Sequence, residues 1–321
     1  MLKFIKTPAL PALFMLLALF TGCQKSMEYF PKGGANAGNK TIAQIVNMSE
    51  DYKLLKLALA RTGLLDDLNT KGPFTVFAPD NKAFAAAGLP DASAIAKIDK
   101  ETLKSILLYH VVGSKVLAGN IPVADNTPVK TLNGKDIFVT KKDGKVCVNG
   151  AMVVMADIIA SNGVIHAVNK VLIPPTGTIV DLAAGNPNFS LLVEAVKWAS
   201  TGSVNVLNLL NGPGPLTVFA PTNAAFDAAG LGDVNKIKAI PPDALTGILA
   251  YHVIGARVFS CNLVDGSAPA TLNGQTVGIS LSGGPKVTGN GNGGKASNII
   301  ITDLITTNGV VHAVDRVLLP K

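Results

Sequence analysis

The sequence predicts an α+β protein made of two copies of one domain, and three observations carry that prediction. Phrases recur in the same order: "FTVFAPDNKAF" from Phe74 and "LTVFAPTNAAF" from Leu216, "LLYHVVG" and "LAYHVIG" around His110 and His252, and "TLNG" from Thr131 and Thr271. The last phrases, "NGVIHAVNKVLIP" from Asn162 and "NGVVHAVDRVLLP" from Asn308, share nine of thirteen residues. Their offsets of 142, 140 and 146 residues are too long for a solenoid unit of about 20–50 residues and match a whole domain. Second, within each copy the apolar period is helical at first and becomes two later. Third, all four histidines of the chain fall inside the duplicated phrases.

The chain opens with Lys3 and Lys6, an apolar run from Pro8 to Phe20, and then "TGCQKS". A basic start, a short apolar core and small residues describe a secretory signal over residues 1–22, and thirteen apolar residues are short for a bilayer span. Cys23 stands where a bacterial lipobox places its acylated cysteine. That resemblance implies lipidation at Cys23, and Gln24 after it implies sorting to the outer membrane. Residues 23–40, rich in Gly, Ala and Asn, have the composition of a flexible tether. The copies then occupy residues 41–175 and 176–321, joined by the Pro-rich stretch Pro174–Thr178, which predicts a restricted relative orientation.

In the first copy, "SEDYKLLKLALARTG" places Leu54, Leu55, Ala58 and Leu59 on one helical face, with Gly63 as its stop. "FTVFAP" is a short strand, Asp80 caps the helix that follows, and Asp99 caps "KETLKSILLYHVV". In that helix Leu103, Ile106, Leu107, His110 and Val111 form one stripe, matched by Leu245, Ile248, Leu249, His252 and Val253. "KDIFVTKKDGKVCVNG" predicts a hairpin turning at Asp143-Gly144. "VVMADIIAS" and "VIHAVNKVLI" predict a second one turning at Asn162-Gly163. Both faces of the last strand are apolar, as in a covered central strand. "GNGNGGK" (Gly289–Lys295) is a long hairpin tip.

The net charge is +7. Residues 1–40 hold five lysines and one glutamate, 41–175 fifteen basic and twelve acidic groups, and 176–321 eight of each. The excess is dilute, without the clustered basic residues that nucleic-acid binding requires. Cys147 and Cys261 occupy non-equivalent places in the two copies. A framework repeated within each domain would match them, so each is expected to be a buried small hydrophobe.

The phrases "TVFAP.N.AF", "YHVV/IG", "TLNG" and "NGVI/VHAV..VL.P", in that order and twice over, resemble the fasciclin domain over about residues 40–321. The resemblance implies a mixed fold, a β-wedge or sandwich flanked by helices, in an extracellular adhesion protein. It also implies adhesive elements at the Tyr-His segment and at an Asp-Ile pair. These fall on Tyr109, His110, Asp157 and Ile158 in the first copy, and on Tyr251, His252, Asp303 and Leu304 in the second.

The residues themselves argue against an enzyme. No "GxSxG" phrase supports a nucleophile, no close ligand pair supports zinc, and "GNGNGGK" lacks the context of a phosphate loop. No catalytic, metal or cofactor-binding residue is assigned. His110, His166, His252 and His312 sit on apolar faces and are expected to be satisfied core histidines. His110 is expected to pair with Asp157 and His252 with Asp303, while His166 and His312 satisfy other acceptors. The expected function is non-enzymatic adhesion or matrix binding, through an extracellular protein or glycan and without nucleic acid. The alternative is a lipoprotein binding glycans or small ligands for nutrient capture, against which the single Trp and four Tyr count modestly.

Overall fold

The computed structural model describes residues 37–321. The signal, Cys23 and most of the tether lie outside the described residues. Each copy begins with helices and ends with strands. In domain one these are α1 (Ile42–Met48), α2 (Lys53–Thr62), α3 (Leu64–Asp67), β1 (Phe74–Pro79), α4 (Asn81–Ala86), α5 (Ala92–Lys97), α6 (Lys100–Tyr109), β2 (Val111–Val112), β3 (Thr127–Lys130), β4 (Asp136–Lys142), β5 (Lys145–Val148), β6 (Ala151–Ala160) and β7 (Gly163–Val168). Domain two repeats the order, with an isolated bridge between Ala270 and Thr276 in place of β3: α7 (Ile179–Ala184), α8 (Ser190–Ala199), α9 (Val206–Asn211), β8 (Leu216–Pro221), α10 (Asn223–Ala228), α11 (Val234–Lys238), α12 (Pro242–Tyr251), β9 (Val253–Ile254), β10 (Val277–Ser280), β11 (Lys286–Gly289), β12 (Ser297–Thr306) and β13 (Gly309–Val314).

The expected helix signals hold. Gly63 adopts a left-handed conformation (φ 78°) at the end of α2. Asp80 and Asp99 accept from the backbone N–H groups of Ala83 and Thr102 at the starts of α4 and α6. Such caps satisfy donors that the first helical turn leaves open. The faces buried by α2 and α6 carry Leu54, Leu55, Ala58, Leu59, Leu103 and Leu107, as their spacing predicts.

The strands of each domain form one hydrogen-bonded succession rather than two separate sheets: β2-β1-β7-β6-β5-β4-β3 in the first and β10-β11-β12-β13-β8-β9 in the second. Each sheet is curled and flanked by helices. The strands β7 and β13 run parallel to β1 and β8, antiparallel to β6 and β12, and every residue of both is buried. This is the central, doubly covered strand that its two apolar faces predict.

One turn falls elsewhere than expected. Asp143 (φ 51°) and Gly144 (φ 72°) turn β4 into β5 as expected, Asn149-Gly150 (φ 48° and 81°) adds a turn between β5 and β6, and the expected β6–β7 hairpin forms with its turn one residue early. Ala160 pairs with Gly163, so the β6–β7 connection is Ser161-Asn162. Asn162 serves as a latch: its Oδ1 accepts from Ile42 N at 2.9 Å and its Nδ2 donates to Leu68 O and Thr70 O, each at 2.8 Å. Asn308 makes the same three bonds to Ile179, Leu210 and Gly212. A Cβ on Gly163 would stand 2.1 Å from Phe74 O, so glycine permits the close approach of β1. Asn162→Ala, which strands buried backbone groups, is expected to cost about 2–3 kcal/mol in urea denaturation.

The cysteine expectation is overturned. Cys147 and Cys261 form a disulfide, with Cα atoms 6.6 Å apart and a sequence separation of 114. It joins β5 of domain one to the 3-10 turn Ser260–Asn262 of domain two. A bond across a head-to-tail joint uses two different surfaces of the repeat. Its cysteines therefore need not occupy matched positions.

Candidate functional site

All four imidazoles are buried and spent on backbone partners. His110, at the end of α6, donates from Nδ1 to Ile106 O at 2.8 Å and accepts at Nε2 from Leu172 N at 2.8 Å. His252 repeats this with Ile248 O and Leu318 N, at 2.8 and 2.9 Å. In β7 and β13, His166 and His312 accept at Nδ1 from Asp157 N and Asp303 N at 3.2 Å. Their Nε2 groups donate to Val116 O and Val258 O at 2.9 Å. Each neutral ring has one donor and one acceptor, and both are used. Burial pushes His110 and His252 down to about 4, against a smaller opposing effect of their bonded carbonyls. Burial likewise lowers His166 and His312.

The expected pairs His110–Asp157 and His252–Asp303 are not formed. The aspartates instead back the other histidine of each copy, because both sit at β-bulges. Asp157 (φ 59°) and Asp303 (φ 66°) are left-handed residues where the pairing with β7 and β13 shifts register. A bulge re-aims the backbone and side chain locally. Here it turns the aspartate N–H toward the histidine ring. The carboxylates of Asp157 and Asp303 then accept from Ala118 N at 2.8 Å and Ser260 N at 2.6 Å, at the starts of matching 3-10 turns.

The tyrosines are also internal. Tyr109 is fully buried, donates to Asp136 O at 2.8 Å and accepts from Asn149 Nδ2 at 2.9 Å. Burial pushes its hydroxyl up to about 12. Tyr251 donates to Thr276 O at 2.7 Å and accepts from Asn290 N at 2.8 Å. The Tyr-His segments of both copies thus belong to the core. Ile158 and Leu304 are half-buried, and Leu304 packs on the core of domain two.

The copies diverge at their aspartates. Asp303 lies in the joint between the domains, its side chain 3% exposed, with Lys170 Nζ of domain one at 2.6 Å. Ser260 Oγ donates to it at 2.5 Å. A Cβ on Gly150 would stand 2.2 Å from its carboxyl carbon, so a glycine in domain one makes room for it. Burial raises the Asp303 carboxyl, but Lys170, His312 and the bonds from Lys170 and Ser260 outweigh that and hold it below the ordinary range. Around it, Arg257 lies 4.0 Å above the Phe138 ring, and Asn126 Nδ2 donates to Arg257 O at 2.7 Å. Asn262 Nδ2 donates to Asp125 Oδ1 and Thr140 Oγ1 at 3.0 and 3.1 Å. With the disulfide, these contacts tie the domains into one body. Sequence reasoning missed this cluster, since its partners are far apart in the chain and unequal between copies.

Asp157 has no such cover. On either side of it in β6, Val154 is 54% and Ile159 38% exposed. The single tryptophan, Trp198, is half-buried and its Nε1 donates to Ile240 O at 2.9 Å. Among the described residues no three His, Cys, Asp or Glu side chains gather to hold a metal ion, and no helix is long and apolar enough to cross a membrane.

A family model of the fasciclin domain matches residues 50–174 and 187–320. The chain is 32% identical over 294 residues to transforming growth factor-beta-induced protein ig-h3 of Sus scrofa, a match covering 88% of this chain and 41% of that protein. It is 41% identical over 137 residues to protein sll1483 of Synechocystis, covering 42% of this chain and 74% of that protein. A solved FAS1 domain pair from the insect cell adhesion molecule Fasciclin I aligns over 84% of this chain and 98% of that chain, at 22% identity and a TM-score of 0.40. The chain thus spans less than half of the ig-h3 protein. With both copies matched over most of their length, the chain belongs to the fasciclin-domain family.

Proposed function

We propose that this protein is a non-enzymatic adhesion or matrix-binding protein of the bacterial surface, carried on a lipid at Cys23 and sorted to the outer membrane. The observation that carries the reading is the state of the four imidazoles. Every ring nitrogen is bonded to backbone inside the core, so none is poised to take a proton from a substrate. The disulfide supports export, because such bonds persist in oxidising compartments. A two-domain body cross-linked at its joint also suits a protein that holds a partner against an anchor.

The contact surface we assign is β6 of domain one around Asp157 and Ile158, where Val154 and Ile159 stand exposed. The matching Asp303 in domain two is covered by Lys170 and Gly150. The test is an array of matrix proteins and glycans probed with the full chain. Binding is expected, and Val154→Asp with Ile159→Asp should abolish it without lowering the melting temperature, since exposed substitutions are usually near neutral for stability. Binding that survives the double substitution, or none at all, would remove the assignment. For the anchor, Cys23→Ser should shift the protein from the detergent phase to the aqueous phase. A wild-type protein already in the aqueous phase would contradict it.

A further inference from the structure

Domain two contains a cavity of about 320 Å³ between α10, α12 and the segment that follows β13. Phe226, Leu245, Ile248 and Val317 give it apolar walls, and Arg316 and Asn292 also line it. The wall carrying Asn292 is specific to this copy. Domain one turns from β5 to β6 in two residues, whereas domain two inserts a longer loop between β11 and β12. That loop lies directly on the C-terminal segment. A Cβ on Gly291 would stand 2.3 Å from Pro320 O, and Asn292 bonds Val317 O and Leu319 N, both at 2.9 Å.

Arg316 is the uncommitted charge in this wall. Its Nε is buried and finds no hydrogen-bond acceptor in the protein. The neighbouring Asp315 is occupied by Asn298 and Ser297, and among the described residues the ion pairs all lie elsewhere. The matched residue in domain one, Lys170, has its carboxylate in Asp303. One copy therefore spends this cation on the joint, and the other leaves it beside an apolar cavity. A buried donor without a partner is unfavourable, and a guanidinium fork is matched by a carboxylate in two parallel bonds.

We infer that this cavity is a binding site for a small amphiphilic carboxylate, its head on Arg316 and its alkyl or single-ring body against Phe226, Leu245, Ile248 and Val317. The volume is at the low end of the roughly 300–1,000 Å³ of ligand sites, which restricts the body to a medium-length chain or one ring. No Tyr or Trp lines it, so the flat platforms that sugars favour are missing. This reading is independent of adhesion through β6.

Calorimetric titration of the full chain with octanoate tests it, with octanol and acetate as comparators lacking the charge and the tail. One octanoate per chain should bind, with octanol and acetate each at least about tenfold weaker, the loss expected for a charge-assisted pair or a buried apolar body. Arg316→Gln should weaken octanoate about tenfold and Arg316→Lys less, because lysine keeps charge without the fork. Ala229→Trp, at the exposed mouth, should block octanoate even if the arginine variants fold poorly. Equal binding of octanoate and octanol, acetate as tight as octanoate, no octanoate heat at millimolar concentration, or indifference to Ala229→Trp would each overturn the inference.

Discussion

Lowering the pH from about 7 to about 4 is expected to destabilise each domain by roughly 3 kcal/mol through His110 and His252 alone. In the folded protein these rings titrate at about 4, and the ordinary value is 6.5. The unfolded chain therefore binds protons that the folded chain refuses, and stability falls as pH drops from about 6.5 to about 4. Below that window both states are protonated and this contribution flattens. His166 and His312 are shifted the same way by burial and steepen the slope. The Asp303 carboxyl, held low by Lys170, adds a further loss at more acid pH. Chemical denaturation at a series of pH values checks this. A stability flat between pH 7 and 4 would mean that the imidazoles are not buried neutral.

Breaking the disulfide is the second large effect. Cys147→Ser with Cys261→Ser removes a cross-link closing 114 residues, and such links stabilise by about 2–4 kcal/mol, chiefly by restricting the unfolded chain. The joint would keep the Lys170–Asp303 pair and the Arg257–Phe138 contact. These are individually modest, so the domains should unfold less cooperatively and their separation should broaden. Small-angle scattering and calorimetry read both. An unchanged, narrow distribution in the variant would show that the noncovalent joint suffices.

Much of the fold is legible in the chain. The caps at Asp80 and Asp99, the stop at Gly63, the Asp143-Gly144 turn and the doubly apolar β7 are local signals, and local physics decides them. What escapes is decided by distant backbone. The phrase "NG" before each final strand has the form of a turn, yet Asn162 is a latch to Ile42, Leu68 and Thr70, and Gly163 clears the way for β1. His110 looks able to pair with Asp157, but its partners are the carbonyl of Ile106 and the N–H of Leu172, groups that every residue carries. The Cys147–Cys261 bond is invisible to a search for repeated positions because a joint between copies uses unlike surfaces. Arg316 matches Lys170 in sequence position, yet Lys170 is paired with a carboxylate of the other domain and Arg316 lies beside a cavity of its own domain.

The claim that the duplicated histidines hold the fold rather than perform chemistry is tested most directly by nitrogen-15 NMR of the imidazoles across pH. With four histidines in the chain, every ring can be followed. His110 and His252 are expected as the Nδ1–H tautomer, unprotonated above about pH 5 in the folded state, and His166 and His312 as the Nε2–H tautomer, held by burial below the ordinary imidazole range. A ring that titrates near 6.5, or that exchanges between tautomers, would have a free nitrogen and would contradict the account.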